Sequence, residues 1–189
     1  MPMNLIHRKL CSSDAWARKI EEGVLPWALD GLDLGTDVLE IGPGFGATTR
    51  VLVRRVPRLT ALEVDPASAR LLEREFGDRA RIVQGDGSAM PLPDAAFDAV
   101  VCFTMLHHVP SPALQDRLFA EARRVLRPGG VFTGTDSLTS RRFRLLHIGD
   151  TRVEVDPDTL PPRLSEAGFG KTEVVRGEGS FRFRAWTGD

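Results

Sequence analysis

Apolar and polar positions along this chain alternate between two rhythms. TDVLEIG (36–42) is a short apolar run of strand length, ATTRVLVRRV (47–56) spaces its apolar residues as a helix does, and RLTALEVD (58–65) returns to a strand. PASARLLEREFG (66–77) predicts a helix with Pro66 in its first turn, Leu71, Leu72 and Phe76 on one face, and Gly77 as its stop. ARIVQGD (80–86) and FDAVVCFTM (97–105) follow as strands, the second apolar enough to be covered on both faces. PALQDRLFAEARRVLR (112–127) predicts an amphipathic helix ended by Pro128, Gly129 and Gly130, and GVFTGTDS (130–137) a fifth strand. A helix ending at EAGFG (166–170) then precedes two strands joined at 177–179, a hairpin signal.

Strand and helix in turn predict an α/β fold with a mostly parallel sheet covered by helices on both faces, and the hairpin adds an antiparallel edge. Residues 1–34 hold about two helices, the second capped by Ser12 or Ser13, and read as an extension ahead of a domain spanning 35–189. At 189 residues, 42% hydrophobic and 27% charged, the chain suits one soluble domain. A net charge of −1 gives no global field for nucleic acid or anionic lipid. No apolar run approaches membrane-spanning length and the N-terminus lacks a signal-peptide pattern, so a cytoplasmic protein is expected. Cys11 and Cys102 form no C-x-x-C pair, so neither a disulfide framework nor a metal site is expected. Nothing in the sequence indicates an oligomeric state.

The candidate chemistry begins at VLEIGPGFGATT (38–49). Gly42, Gly44 and Ala47 fit a G-x-G-x-x-A dinucleotide turn, while Gly42, Gly44 and Gly46 equally fit G-x-G-x-G. Both let a ligand approach the backbone at a helix N-terminus. Three acids at strand ends narrow the choice. Glu40, inside an apolar strand, is costly without a partner and predicts a cationic one such as an α-amino group. Glu63 can accept bonds from both hydroxyls of a ribose. Asp86 can take a proton of an adenine amino group while the amide of Gly87 or Ser88 reaches a ring nitrogen; an Asx-turn is the alternative use of Asp86.

With these pieces the sequence resembles the class I S-adenosylmethionine-dependent methyltransferases. The matching text is LEIGPGFG, EVDP, GDGSAMPLPDAAFDAVVCFTMLHHV and RVLRPGGVFTGTD, in the family's order over residues 38–137. The resemblance implies a seven-stranded Rossmann-like sheet and S-adenosylmethionine as cofactor. It implies that Glu40, Gly42, Gly44 and Gly46 surround the methionine portion and that Glu63 holds the ribose. It places Val64 on the adenine, Asp86 and Gly87 on its edge, and Phe103 with Thr104 on the methyl side.

The resemblance implies methyl transfer, an in-line displacement that rests on alignment, with a base useful for a protic acceptor. His107, just past the fourth strand with His108, is the candidate catalytic base, a structural or helix-capping role being the alternative. Residues 38–65 also resemble rRNA adenine dimethylases. FTMLHHV stands where those enzymes carry an Asn-Leu/Pro-Pro-Tyr type motif after the fourth strand, and the chain has no Tyr, so a small-molecule acceptor is expected over nucleic acid. Trp16 and Trp27 are candidates to roof its pocket, and Arg141, Arg142 and Arg144 to receive an anionic acceptor, a core or surface role being the alternative for each. An NAD-linked oxidoreductase would need a second domain, and a non-catalytic cofactor-binding protein is the other class in play.

Overall fold

The computed structural model describes residues 4–188, with the side chains of Leu5 and Arg142 outside the described set. Helix α1 (Leu5–Cys11) starts where the Asn4 side chain accepts the His7 amide, and α2 (Asp14–Lys19) where Ser13 accepts that of Trp16. A π-helical turn (Ile20–Val24) joins α2 to α3 (Leu25–Leu29). Then come β1 (Asp37–Ile41), α4 (Thr49–Leu52), β2 (Arg58–Glu63), α5 (Pro66–Phe76), β3 (Ala80–Gln84) and β4 (Phe97–Phe103). A 3₁₀ turn (Leu106–His108), α6 (Pro112–Val125), β5 (Leu126–Ser137), α7 (Arg141–Leu146), α8 (Leu160–Glu166), β6 (Lys171–Arg176) and β7 (Ser180–Trp186) complete the chain.

The seven strands lie in the order β3-β2-β1-β4-β5-β7-β6. Pairings from β3 through β5 are parallel, and β7 runs antiparallel to both β5 and β6, so the predicted mostly parallel sheet with its C-terminal hairpin is present. Because successive side chains of a strand point to opposite faces, neighbours in sequence enter different cores. Leu39, Val100 and Cys102 join a layer with Leu118, Phe119 and Ala122 of α6 and Leu160 and Leu164 of α8. Val38, Ala99, Val101 and Phe103 join the opposite layer with Ile20, Leu25 and Ala28 of the N-terminal helices and Leu72 and Phe76 of α5. Central strands buried on both faces read as continuous apolar text, and that is why AVVCF was legible.

Three expectations change. The helix expected over 47–56 is regular only over Thr49–Leu52, because Gly42, Gly44 and Gly46, with φ of +67°, +58° and +78°, hold the preceding turn out of helical geometry. Its far end tightens into i→i+3 bonds from Arg54 and Arg55 before Pro57. On α5 the buried face is Ala69, Leu72 and Phe76, whereas Leu71 is 42% exposed. And β5 begins at Leu126, pairing with Phe97 ahead of a register shift that absorbs Pro128–Gly130.

Gly134 in β5 shows how tightly β4 and β5 approach. A Cβ there would lie 2.0 Å from the Cys102 carbonyl oxygen and 2.9 Å from the Phe183 ring. Gly134→Ala is therefore expected to cost about 1–3 kcal/mol by overpacking, read as a lower urea midpoint at unchanged slope. An unchanged midpoint would contradict the close approach.

Candidate active site

In this order the sheet reverses direction of growth between β1 and β4, and the crevice outside the carboxyl ends of those strands is where open α/β sheets bind ligands. The glycine turn leaves β1 and the segment Thr104–His108 leaves β4, and they touch there: a Cβ on Gly42 would come within 2.8 Å of Met105 Cε. Three adjoining hollows share Gly42 and Met105 as common wall.

The middle hollow is lined by Gly42, Gly44, Phe45, Glu63, Val64 and Leu71, with Arg8 of α1 at its rim. Glu63 is 5% exposed; its Oε2 accepts the Gly44 amide at 3.0 Å and its Oε1 that of Asp65 at 2.9 Å. Each oxygen keeps a second lone pair. Arg8 lies over the Phe45 ring at 5.8 Å and was not foreseen, because a helix arginine carries no motif. The second hollow is an apolar slot between Ile41, Leu62, Val64, Met105 and Leu118, with Asp86 and Gly87 at its edge. Asp86 Oδ1 accepts the Ser88 amide at 2.8 Å and hydroxyl at 2.9 Å. The Asx-turn is thus real, and Oδ2 has no bond among the described residues.

The third hollow, about 140 Å³, holds the remaining chemistry. Phe103 and Thr104 line it, Thr104 in the left-handed region at φ +53° with its amide on the Thr135 carbonyl at 2.7 Å. Strain of this kind collects at functional sites. His107 is 4% exposed, and its Nδ1 lies 2.5 Å from Oδ1 of Asp136, a fully buried acid at the end of β5. Asp136 Oδ2 also accepts the His107 amide at 3.0 Å, and Oδ1 the Ser137 amide at 2.6 Å. Burial pushes the Asp136 carboxyl up, but the His107 charge and these bonds outweigh it and hold it below the usual carboxylate range. Gln115, buried on α6, donates to the Leu106 carbonyl at 3.1 Å and so fixes the turn carrying His107. His108 beside it is pushed down to about 3 by burial, then by the neighbouring His107 and His7.

Glu40 and Gly46 do not reach the hollows. Glu40 is 1% exposed, and within the chain its partners are the Thr48 and Thr49 hydroxyls, the latter at 2.7 Å. Burial pushes its carboxyl up to about 7. Such a group favours folding below the unfolded value near 4.5, and that contribution is lost as pH rises through about 7. Over that window wild type should lose about 3 kcal/mol relative to Glu40→Gln, measured by denaturant titration without cofactor; parallel pH profiles would contradict it. Gly46 packs on α5, where a Cβ would sit 2.6 Å from Phe76 Cε2. Trp16 lines the third hollow, whereas Trp27 lies against Gly177 and Arg182 of the hairpin. Arg141 and Arg144 are exposed, and Arg144 pairs with Glu154 at 3.1 Å. Among the described residues no helix is long and apolar enough to cross a membrane.

Residues 39–133 match the family model of a methyltransferase domain. A protein of Mycolicibacterium smegmatis described as a probable S-adenosylmethionine-dependent methyltransferase is 34% identical over 85% of this chain and 61% of its own. The 27-O-demethylrifamycin SV methyltransferase of Amycolatopsis mediterranei is 32% identical over 81% of this chain and 52% of its own. The matched stretches span 35%, 61% and 46% of the first three curated relatives' lengths. Among solved structures, a chain of the complex between the Haloferax volcanii Trm112 methyltransferase activator and a methyltransferase superposes over all of both chains, with a TM-score of 0.77 at 14% identity, which speaks for the fold alone. Strand order, glycine turn, acidic strand ends and these matches together place the chain in the class I S-adenosylmethionine-dependent methyltransferase family.

Proposed function

We propose that this chain transfers a methyl group from S-adenosylmethionine to a hydroxyl of a small molecule, with His107 as the base. The observation that carries this is the buried Asp136–His107 pair, whose His107 lines the hollow beside Phe103 and Thr104. The fit to the cofactor rests on the other two hollows. Glu63 keeps a free lone pair on each oxygen for the ribose, the apolar slot with Asp86 and Gly87 suits adenine, and Val64, 40% exposed, lines both. Gly44 supports it too, since a Cβ there would meet nothing within 4 Å and would fill the cleft. Gly42 and Gly44 would flank the methionine portion; Glu40 would act on it only through Thr48, and Gly46 only by shaping the turn.

When bound, S-adenosylmethionine supplies an electrophilic methyl group. With the acceptor hydroxyl replacing the His147 Nε2 contact at 3.1 Å, His107 Nε2 accepts its proton as the oxygen attacks, and Asp136 holds the ring and balances the imidazolium charge. Residues 4–34 act as the cover: His7, Cys11, Trp16 and Ile20 line the hollow from that side. The hollow, about 140 Å³, suits a small reacting end of the acceptor, the remainder lying outside. The name of the rifamycin relative, an O-methyltransferase of a small molecule, supports a hydroxyl acceptor. Release of S-adenosylhomocysteine from the purified chain across a library of hydroxylated metabolites tests the reading. Release with some members that slows at least about 100-fold on His107→Ala is expected; release with none, or only with RNA, would overturn it.

A further inference from the structure

The chain's four histidines, His7, the adjacent His107 and His108, and His147, come from three separate segments yet all line one hollow. Of these, His7, His108 and His147 each place one ring nitrogen within 4.8 Å of the other two. Their Nδ1 atoms are already engaged. That of His7 donates to the Asp150 carboxylate at 2.6 Å, that of His108 to the Thr151 carbonyl at 3.2 Å, and that of His147 to the Phe143 carbonyl at 2.8 Å. Carbonyl and carboxylate oxygens only accept, so a ring proton sits on each Nδ1 and, in the neutral ring, Nε2 is left as an acceptor. Among the described residues no donor reaches Nε2 of His7 or His108, whereas His147 Nε2 is hydrogen-bonded to His107 Nε2 at 3.1 Å, a contact that a metal on His147 would replace.

We propose that His7, His108 and His147 form a binding site for a divalent transition-metal ion of the zinc type. Three neutral imidazoles with a fourth position left open are a donor set for such an ion, bound at about 2.0–2.1 Å, and imidazole selects zinc, nickel or copper over magnesium or calcium. The surrounding bonds are those a metal-binding histidine needs, the far ring nitrogen donating to a carboxylate or a backbone carbonyl so that tautomer and ring direction are fixed. The hollow supplies the path in, and the open position gives onto the space that His107 lines.

The test needs neither cofactor nor acceptor, so its outcome is independent of methyl transfer. The full chain is stripped with a chelator and titrated calorimetrically with zinc chloride, and separately with cobalt(II) chloride while the visible spectrum is recorded. One equivalent of zinc at micromolar affinity or tighter, and an intense tetrahedral cobalt spectrum, are expected. His147→Ala should weaken zinc more than about 100-fold, and Asp150→Asn, which touches no metal, about 10–100-fold; far-UV circular dichroism checks that each variant folds. No stoichiometric zinc and only the weak spectrum of aqueous cobalt in wild type would overturn the site, as would zinc held equally well by folded His147→Ala.

Discussion

His107→Ala should leave S-adenosylmethionine affinity unchanged and slow methyl transfer about 10²–10⁴-fold, the usual worth of a positioned general base. His107 lines the hollow beyond Gly42 and Met105, and it takes no part in the hollow that holds Glu63 or in the apolar slot. The loss therefore belongs in kcat with the cofactor Kd constant. Asp136→Asn should reproduce most of it. The asparagine side chain removes the charge that stabilises the imidazolium while leaving an oxygen for the Nδ1–H. Turnover unchanged in both variants would remove the dyad from the reaction and return His107 to a structural role. A weakened cofactor Kd in either would mean instead that the turn after β4 had shifted.

The second large effect falls on the cofactor. On the proposed reading Glu63→Ala removes the acceptor for two ribose hydroxyls, each bond to a charged group being worth about 1.5–3 kcal/mol, and it also frees the Gly44 and Asp65 amides that Glu63 holds. Affinity for S-adenosylmethionine should fall at least about 100-fold, read by calorimetry. Adenine alone should be affected far less, because the slot formed by Ile41, Leu62 and Leu118 does not depend on that carboxylate. Equal loss for both ligands would indicate a collapsed cleft in place of a lost ribose contact.

What the sequence made legible was local. β1, β2 and β4 announced themselves because strands covered on both faces are apolar throughout, and Glu63 and Asp86 because a strand end next to a glycine or proline turn projects its side chain into the crevice. Glu40 was read as an acid needing a partner, and its partners within the chain sit eight and nine residues on, in Thr48 and Thr49, where hydroxyls on a short helix gave no charge signal. Gly46 followed the glycine pattern for a packing reason, its contact with Phe76. Asp136 carried the same signature as Glu40, an acid at the end of an apolar run, and the rule that picked out the one would have found the other. His7, His147 and Asp150 had no such mark. His7 meets Asp150 across 143 residues and His107 meets His147 across 40, so their meeting is a product of α1 and the segment after β5 closing over the crevice. The expectation of no metal site came from cysteine spacing, which is blind to imidazoles gathered in this way.

Calorimetric titration of the purified chain with S-adenosylmethionine and with NAD, side by side, tests most directly what the cleft was built to hold. Saturable one-to-one binding of S-adenosylmethionine, lost in Glu63→Ala, with no heat from NAD up to millimolar concentration, is the predicted result. Saturable binding of NAD with none of S-adenosylmethionine would contradict the assignment of the three hollows.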